Sequence, residues 1–375
     1  MPFEVSSLMD RRHEFVLLAT QEGANIRALC RRFGIAPNTA STWIARYRAE
    51  GRAGLADHSH RPHASPSRTT PAQEAQVLAV RDAHPTWGGR KLRRWLLDHR
   101  GTAPAASTIT TILQRHARLD GPRTGEARAY QRFERPAPND LWQLDFMGHR
   151  ALQAGRVQPL TILDDHSRFG IGLFACAHER SDLVQAHLIT CFRAYGLPTA
   201  ILADNGPAWG SSSPGTLTWL EAWWIRLDIR VLHGRYRHPQ TQGKVERLHQ
   251  TIARDLFQFG VLADLATAQT AFDAFRHTYN TDRPHEALAL AVPATRYQPS
   301  PRPFPEILPE IVYSAEHMVH TVTRGGWIWV ERQRVELGEA LRGLPVGIRP
   351  SGEEDVFVVR FCDHDLKRVT LRRPS

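Results

Sequence analysis

The 375-residue chain carries 48 Lys and Arg against 38 Asp and Glu, a formal charge of +10, and is long enough for roughly two to four domains. Arginine dominates the basic set, and because one guanidinium can bind two oxygens this favours phosphate recognition and nucleic acid as the partner class. The four cysteines (Cys30, Cys176, Cys191, Cys362) lack Cys-x-x-Cys or Cys/His spacing, no signal peptide precedes the first helical pattern, and no long apolar run occurs; the composition therefore argues against a zinc site, a disulfide framework and a membrane span, and places the protein in the cytoplasm.

Residues 1–56 read as a helical domain. Ile26, Leu29, Cys30 and Phe33 follow helical spacing, Gly34 turns the chain, and a second helix holds Ala40, Trp43, Ile44 and Tyr47 with Asn38 as its cap. Asn38, Thr39, Thr42 and Arg46 lead the second helix in the manner of a helix-turn-helix that reads DNA. Residues 57–71, rich in Pro, Ser, His and Arg, form a linker. Residues 72–118 give three more helices, ended at Pro85 and Gly101 and reopened with Ser107 as cap. Thr108, Thr110, Thr111 and Arg115 lie on a second possible recognition helix, whereas Trp87, Trp95 and Leu96 read as core.

A polar, proline-punctuated stretch at 119–138 is the second linker. From 139 to 298 the chain alternates short apolar strands with amphipathic helices, an α/β layer pattern with carboxylates at strand ends. A Pro-rich linker spans 299–312, and period-two patterns over 313–375 predict a small all-β barrel of about five strands. Trp327, Trp329 and the terminal arginines make that tail a nucleic-acid or subunit contact surface, or alternatively a source of core aromatics.

Three acidic residues stand out: Asp145 in WQLDFMGH, Asp204 in LADNGPAWG and Glu246 in HPQTQGKVERLHQT. The first lies in a strand-like run, the second closes another at an Asn-Gly turn, and the third opens a helix. Converging carboxylates make a hard oxygen site for Mg²⁺ or Mn²⁺, and on a basic protein its natural substrate is a phosphodiester. Lys244 is expected to touch substrate phosphate, and Arg247 either does the same or pairs structurally. Asn205, His238 and Gln242 could position DNA or simply hold turns. The pair Asp164 and Asp165 could bind metal, although turn-forming carboxylates are commoner.

Taken in order, these segments resemble insertion-sequence transposases with a retroviral-integrase-like catalytic core, the DDE class on an RNase H-like fold. WQLDF, LADNG and QGKVERLHQT carry the resemblance, with LDDHSRF and YNTDRPHEAL in support. The stretch between Asp204 and Glu246 is longer than is usual in that family, and the surplus fits a loop around residues 210–219. The resemblance implies a multidomain fold: α-helical helix-turn-helix modules, an RNase H-like α/β core with a mixed sheet, and a β tail. It gives Asp145, Asp204 and Glu246 catalytic and metal-binding roles, with Asp145 bridging two Mg²⁺ or Mn²⁺ ions. It implies double-stranded DNA, both element ends and target, as partner, and a dimer or tetramer on that DNA. The alternative is a DNA-binding regulator descended from such an enzyme and catalytically inactive.

Overall fold

The structure, a computed structural model, describes residues 7–57, 68–119, 134–204, 206, 209, 216–233, 243–331 and 333–370, and the chain divides into two units, Met1–Arg68 and Thr69–Ser375. In the first unit α1 (Leu8–Ala19) opens on a capping box made by Ser7 and Asp10, α2 (Ile26–Phe33) is capped by Asn25 and closed at Gly34, and α3 (Pro37–Glu50) runs into a 3₁₀ turn, Gly51–Leu55. Phe15, Val16, Cys30, Ala40, Ile44 and Leu55 form its core. Asn38 is not the cap of α3: Pro37 takes the first helical position, where its missing N–H costs nothing, so the cap falls on Ala36 and Asn38 lies inside the helix.

In the second unit α4 (Pro71–Ala83) begins with a Thr70–Gln73 capping box, followed by α5 (Gly89–Arg100) and α6 (Ala106–Arg115). Val77, Trp87, Leu92, Leu96, Ile109, Ile112 and Leu113 close a small three-helix core. Ser107 does not cap α6 either: Ala105 holds that position, and no side chain accepts from the first turn.

The α/β part follows as β1 (Trp142–Phe146), β2 (Arg150–Leu152), β3 (Gly155–Asp164), β4 (Gly170–Cys176), α7 (Ser181–Tyr195), β5 (Ala200–Ala203), α8 (Trp219–Arg226), β6 (Arg230–His233), α9 (Gly243–Asp255) and α10 (Leu265–Thr281). Strands β1, β3 and β4 pair antiparallel, β2 makes a hairpin with the first residues of β3, and β5 and β6 extend the sheet parallel from β1. A mixed sheet of this kind needs helices on both faces to bury its apolar side chains. Trp142, Leu144, Leu160 and Ile162 pack against Val184, Leu188 and Phe192 of α7 and Leu220, Trp223 and Trp224 of α8. On the other face Val157, Leu163 and Leu173 meet Val245, Leu248 and Ile252 of α9 and Phe272 and Tyr279 of α10. The three-residue β2 is an addition to the expected strands, too short for periodicity to reveal.

Residues 299–308, expected as part of a linker, are instead a strap fastened to the core. Ser300 donates its N–H to the Tyr195 carbonyl, and the Arg302 guanidinium reaches the carbonyls of Pro198, Leu227 and Asp228 at 2.8–2.9 Å. Gly196 (φ 76) is where the strap crosses: a Cβ there would sit 2.7 Å from the carbonyls of Ser300 and Arg302, so no other residue fits. Phe304 and Leu308 then pack on the α7–α8 face.

The tail is all-β but not a closed barrel. Strands β7 (Met318–Thr321), β10 (Pro345–Pro350), β11 (Val356–Phe361) and β12 (His364–Thr370) form one sheet in the order β12-β11-β10-β7, and β8 (Trp327–Val330) and β9 (Gln333–Glu336) form a separate hairpin. The apolar faces of both are buried together with Ala222 and Ile225 of α8. A helix from the core thus covers what barrel closure would otherwise have to cover. Among the described residues no helix is long and apolar enough to cross a membrane.

Candidate active site

Side chains alternate along β1, so Trp142 and Leu144 face the α7–α8 layer while Gln143 and Asp145 face α9. Strand β1 pairs in parallel with β5 through Trp142–Ile201 and Gln143–Leu202. Asp145 lies two residues past the last β1 residue so paired and Asp204 directly follows β5, near enough for its charge to act on Asp145. Glu246 lies in the first turn of α9, the helix that packs beside β1.

Asp145 is mostly buried, and its carboxyl is pushed up to about 7, first by burial and then by the negative charge of Asp204, Glu246 and Glu179. Its backbone carbonyl accepts a hydrogen bond from the Thr161 hydroxyl at 2.9 Å, and the same hydroxyl lies 2.8 Å from Nε2 of His249, one turn beyond Glu246 on α9. Nδ1 of His249 stands 3.9 Å from the Asp145 carboxylate. Burial and then Arg150 hold that imidazole down to about 4, so at neutral pH the contact is not an ion pair.

Asp204 is oriented by its own loop: Oδ1 accepts from the Gly206 N–H at 2.8 Å and from the indole N–H of Trp209. Trp209 is fully buried and stacks on Phe146 at 5.2 Å, which ties the loop after β5 to the strand carrying Asp145. The end of β6 adds His233, paired with Ala203 in the sheet. Its Nε2 lies 2.7 Å from the buried carboxylate of Glu221, and its basicity is raised chiefly by that bond and also by its contacts with Asp204. Trp209, His233, Glu221 and His249 were not singled out from sequence. Trp209 sits only five residues past Asp204, but nothing local distinguishes it from a core tryptophan.

The donor chemistry suits a hard divalent cation, since carboxylates offer hard oxygen ligands and the charges of Asp204 and Glu246 both act on the mostly buried Asp145. Among the described residues, however, no three His, Cys, Asp or Glu side chains come close enough to hold a metal ion. Electrostatics relates the three acids to one another; close contact does not.

The acidic pair after β3 is fully used in structure. Asp164 accepts from the Ser167 and Asn139 amides at 2.8 and 2.7 Å. Asp165 accepts from the Arg135 amide at 2.8 Å and the Gln143 side chain at 2.7 Å, and Lys244 Nζ lies 2.5 Å from it. Lys244 is therefore a half-buried ion-pair partner that fastens the start of α9 to the β3–β4 turn. Arg247 is exposed and donates to the Gln250 side chain at 3.4 Å.

Among the DNA-contact residues expected in the helical regions, Asn38 and Thr42 are exposed on α3, with Thr39 and Arg46 half-buried beside them. Thr108 is half-buried on α6, and Arg115 is paired with Glu74 of α4 at 2.8 Å, so its charge serves the three-helix core. Asn205, His238 and Gln242 lie outside the described residues, as do residues 58–67 and 120–133 of the two expected linkers.

Comparison with known proteins agrees with this architecture. An integrase core domain matches residues 135–239 and again 227–293, a helix-turn-helix domain matches 11–63, and a homeodomain-like domain matches 39–113. The uncharacterized 39.2 kDa protein of insertion element IS476 from Xanthomonas euvesicatoria is 26% identical over 262 residues, 68% of this chain and 72% of that protein. The uncharacterized 31.7 kDa protein of insertion element IS407 from Burkholderia multivorans is 26% identical over 42% of this chain and 55% of its own length. Among solved structures, the HTLV-2 integrase catalytic core domain in complex with magnesium is 17% identical, covering 44% of this chain and 99% of that one with a TM-score of 0.33.

Proposed function

We propose that this insertion-sequence transposase-like chain, with an integrase core behind helix-turn-helix domains, binds the ends of a mobile DNA element and catalyses metal-dependent strand cleavage and strand transfer. The observation that supports the reading is the pairing of β1 with β5, the strands that lead to Asp145 and Asp204, with the Glu246 helix packed beside β1. Burial, and then the negative charge of Asp204 and Glu246, drives Asp145 toward its protonated form, which is the expected state of a carboxylate site built for metal.

Asp145, Asp204 and Glu246 would hold Mg²⁺ or Mn²⁺, two ions in the reading favoured here, which when bound activate the attacking oxygen and stabilise the leaving one in an in-line displacement at phosphorus. The rest is the work of this chain's own groups. Trp209 and the Gly206 amide aim Asp204, Thr161 and His249 brace β1 at Asp145, and the Lys244–Asp165 pair fixes the start of the helix bearing Glu246. DNA recognition falls to α3 through Asn38, Thr39, Thr42 and Arg46. Joining two ends calls for a dimer or tetramer on double-stranded DNA, in the cytoplasm and on the nucleoid.

The test is a strand-transfer assay with Mg²⁺ or Mn²⁺, using the DNA that flanks this reading frame and comparing wild type with Asp145→Ala, Asp204→Ala and Glu246→Gln. Metal-dependent joining should fall at least a hundredfold in each variant while end binding persists. The absence of a three-donor cluster among the described residues favours one second reading, an inactive DNA-binding regulator. Sequence-specific binding without joining under either metal would establish it.

A further inference from the structure

A large opening in the second unit lies away from Asp145 and Asp204. It is a cleft of about 840 Å³ between the α4–α6 domain and the core, and Glu246 lines its edge. Three helices present their first turns to it: α5 through Gly88, Gly89 and Arg90, α6 through Ala106 and Ser107, and α9 through Gly243 and Lys244. Neither α5 nor α6 has a side chain capping its first amides, so N–H groups and the positive ends of two helix dipoles remain available there. Gly89 permits the arrangement, because a Cβ at that position would lie 2.6 Å from the Ala106 carbonyl and 2.7 Å from the Thr110 hydroxyl.

The walls are strongly basic: Arg90, Lys91, Arg168, Lys244, Arg247, Arg254 and Arg283, against Glu246 and Glu286. The carboxylates within reach are already taken. Glu286 pairs with Arg90 at 3.1 Å, Asp255 is shared by Arg254 and Arg283 at 3.2 and 3.4 Å, and Asp165 holds Lys244. Among the described residues no ion pair reaches Lys91 or Arg247. Arg168 is 8% exposed and lines the cleft; its NH2 group pairs with Glu134 at 3.2 Å, while its buried NH1 group has no hydrogen-bond partner among the described residues. An unpaired buried guanidinium nitrogen is costly unless an anion completes it. Burial, then Arg283 and Arg254, holds the Lys91 ammonium down to about 7, the condition of a cation waiting for a counter-charge.

We propose that this cleft grips the sugar-phosphate backbone of the DNA duplex, so that the α4–α6 domain serves as one jaw of a sequence-independent clamp beside the Glu246 helix. The inference rests on reading the Asp145 centre as one that processes DNA. It assigns the second helical domain a different task from base reading: uncapped amides and cations meet phosphate oxygens. The likeness of α6 to a recognition helix is then one of sequence only, because its leading residues turn toward the core.

The experiment measures binding without metal, so that no cleavage is needed. Fluorescence anisotropy with the full chain would compare a duplex of the flanking DNA and a random-sequence duplex across about 50–300 mM salt. The variants are Lys91→Ala, Arg247→Ala and Ser107→Glu. Ser107→Glu puts a carboxylate in the first turn of an exposed helix end, where it favours the helix, so this variant keeps the test alive if the others misfold. The expected result is a loss of about tenfold for both duplexes alike, with the salt slope falling by about one for each phosphate contact removed. Unchanged affinity and slope in folded Ser107→Glu overturns the proposal, and so does a loss confined to the flanking-sequence duplex, which would mean base reading. Calorimetry with inorganic phosphate separates the remaining source: saturable phosphate binding with duplex affinity unaffected by the variants would make the cleft a small-anion site only. Failure of strand transfer would leave these binding outcomes untouched.

Discussion

The two helical regions share a pattern and differ in what they do with it. Each is three helices around a handful of apolar residues, and each places threonines at the start of its third helix. In the first, Asn38 and Thr42 remain exposed on α3. In the second, the start of α6 lines a basic cleft against the core and Arg115 is committed to Glu74. A helix-turn-helix pattern therefore specifies how a three-helix core packs; which surface is left for DNA depends on what else that core touches.

The widest break in the comparison should be thermodynamic. The first region is a unit by its contacts, whereas the second belongs with the core. Phe15→Ala should cost about 3–5 kcal/mol and move a separate early transition in calorimetry, and Leu92→Ala should move the transition of the core. A single transition shifted equally by both would remove the distinction.

A somewhat smaller effect should come from Lys91. Its folded pKa, about 7 against an ordinary 10.5, means that the unfolded chain binds the extra proton between those two values, so wild-type stability rises with pH across that window. Below pH 7 the burden is full. Lys91→Met should therefore be more stable than wild type at pH 6, by less than the roughly 5 kcal/mol that the full shift represents, with the advantage gone near pH 10.5. An advantage that does not change with pH would point to packing and not to charge. The first region has no buried lysine to behave this way.

The smallest effect sharpens the contrast in recognition. Thr42→Ala or Arg46→Ala should weaken binding of the flanking duplex by about 1–3 kcal/mol and leave the random duplex nearly unchanged. Arg115→Ala should alter neither by more than a few tenths of a kcal/mol, because its partner is a carboxylate of the protein. A footprint unchanged by Thr42→Ala would move recognition off α3.

Much of this architecture was legible because periodicity and turn residues are local signals. The helices of both small domains, the strands carrying Asp145 and Asp204, and the helix opening at Glu246 follow from apolar spacing and breakers such as Gly34, Pro85 and Gly196. What failed was anything decided across the chain. The caps lie two residues before Asn38 and Ser107, at Ala36 and Ala105, since several neighbours could serve. Residues 299–308 read as linker because proline hides their packing, yet Arg302 and Ser300 fasten them to α7 and its neighbours. The tail read as a barrel because alternation shows which faces are apolar and not what covers them, and α8 covers them here.

The sequence alone determined which carboxylates sit at strand ends and a helix start, because that placement depends on runs of five to ten neighbours. Only the tertiary structure decided that Lys244 would pair with Asp165, that Trp209 would hold Asp204, that His233 would bridge Glu221 toward that loop, and that the second helical domain would face the core across a basic cleft. Each of those is a contact between residues distant in the chain or a choice among equivalent local partners. Such contacts are set by how layers pack and where charge can be compensated, and no local window of residues contains that information.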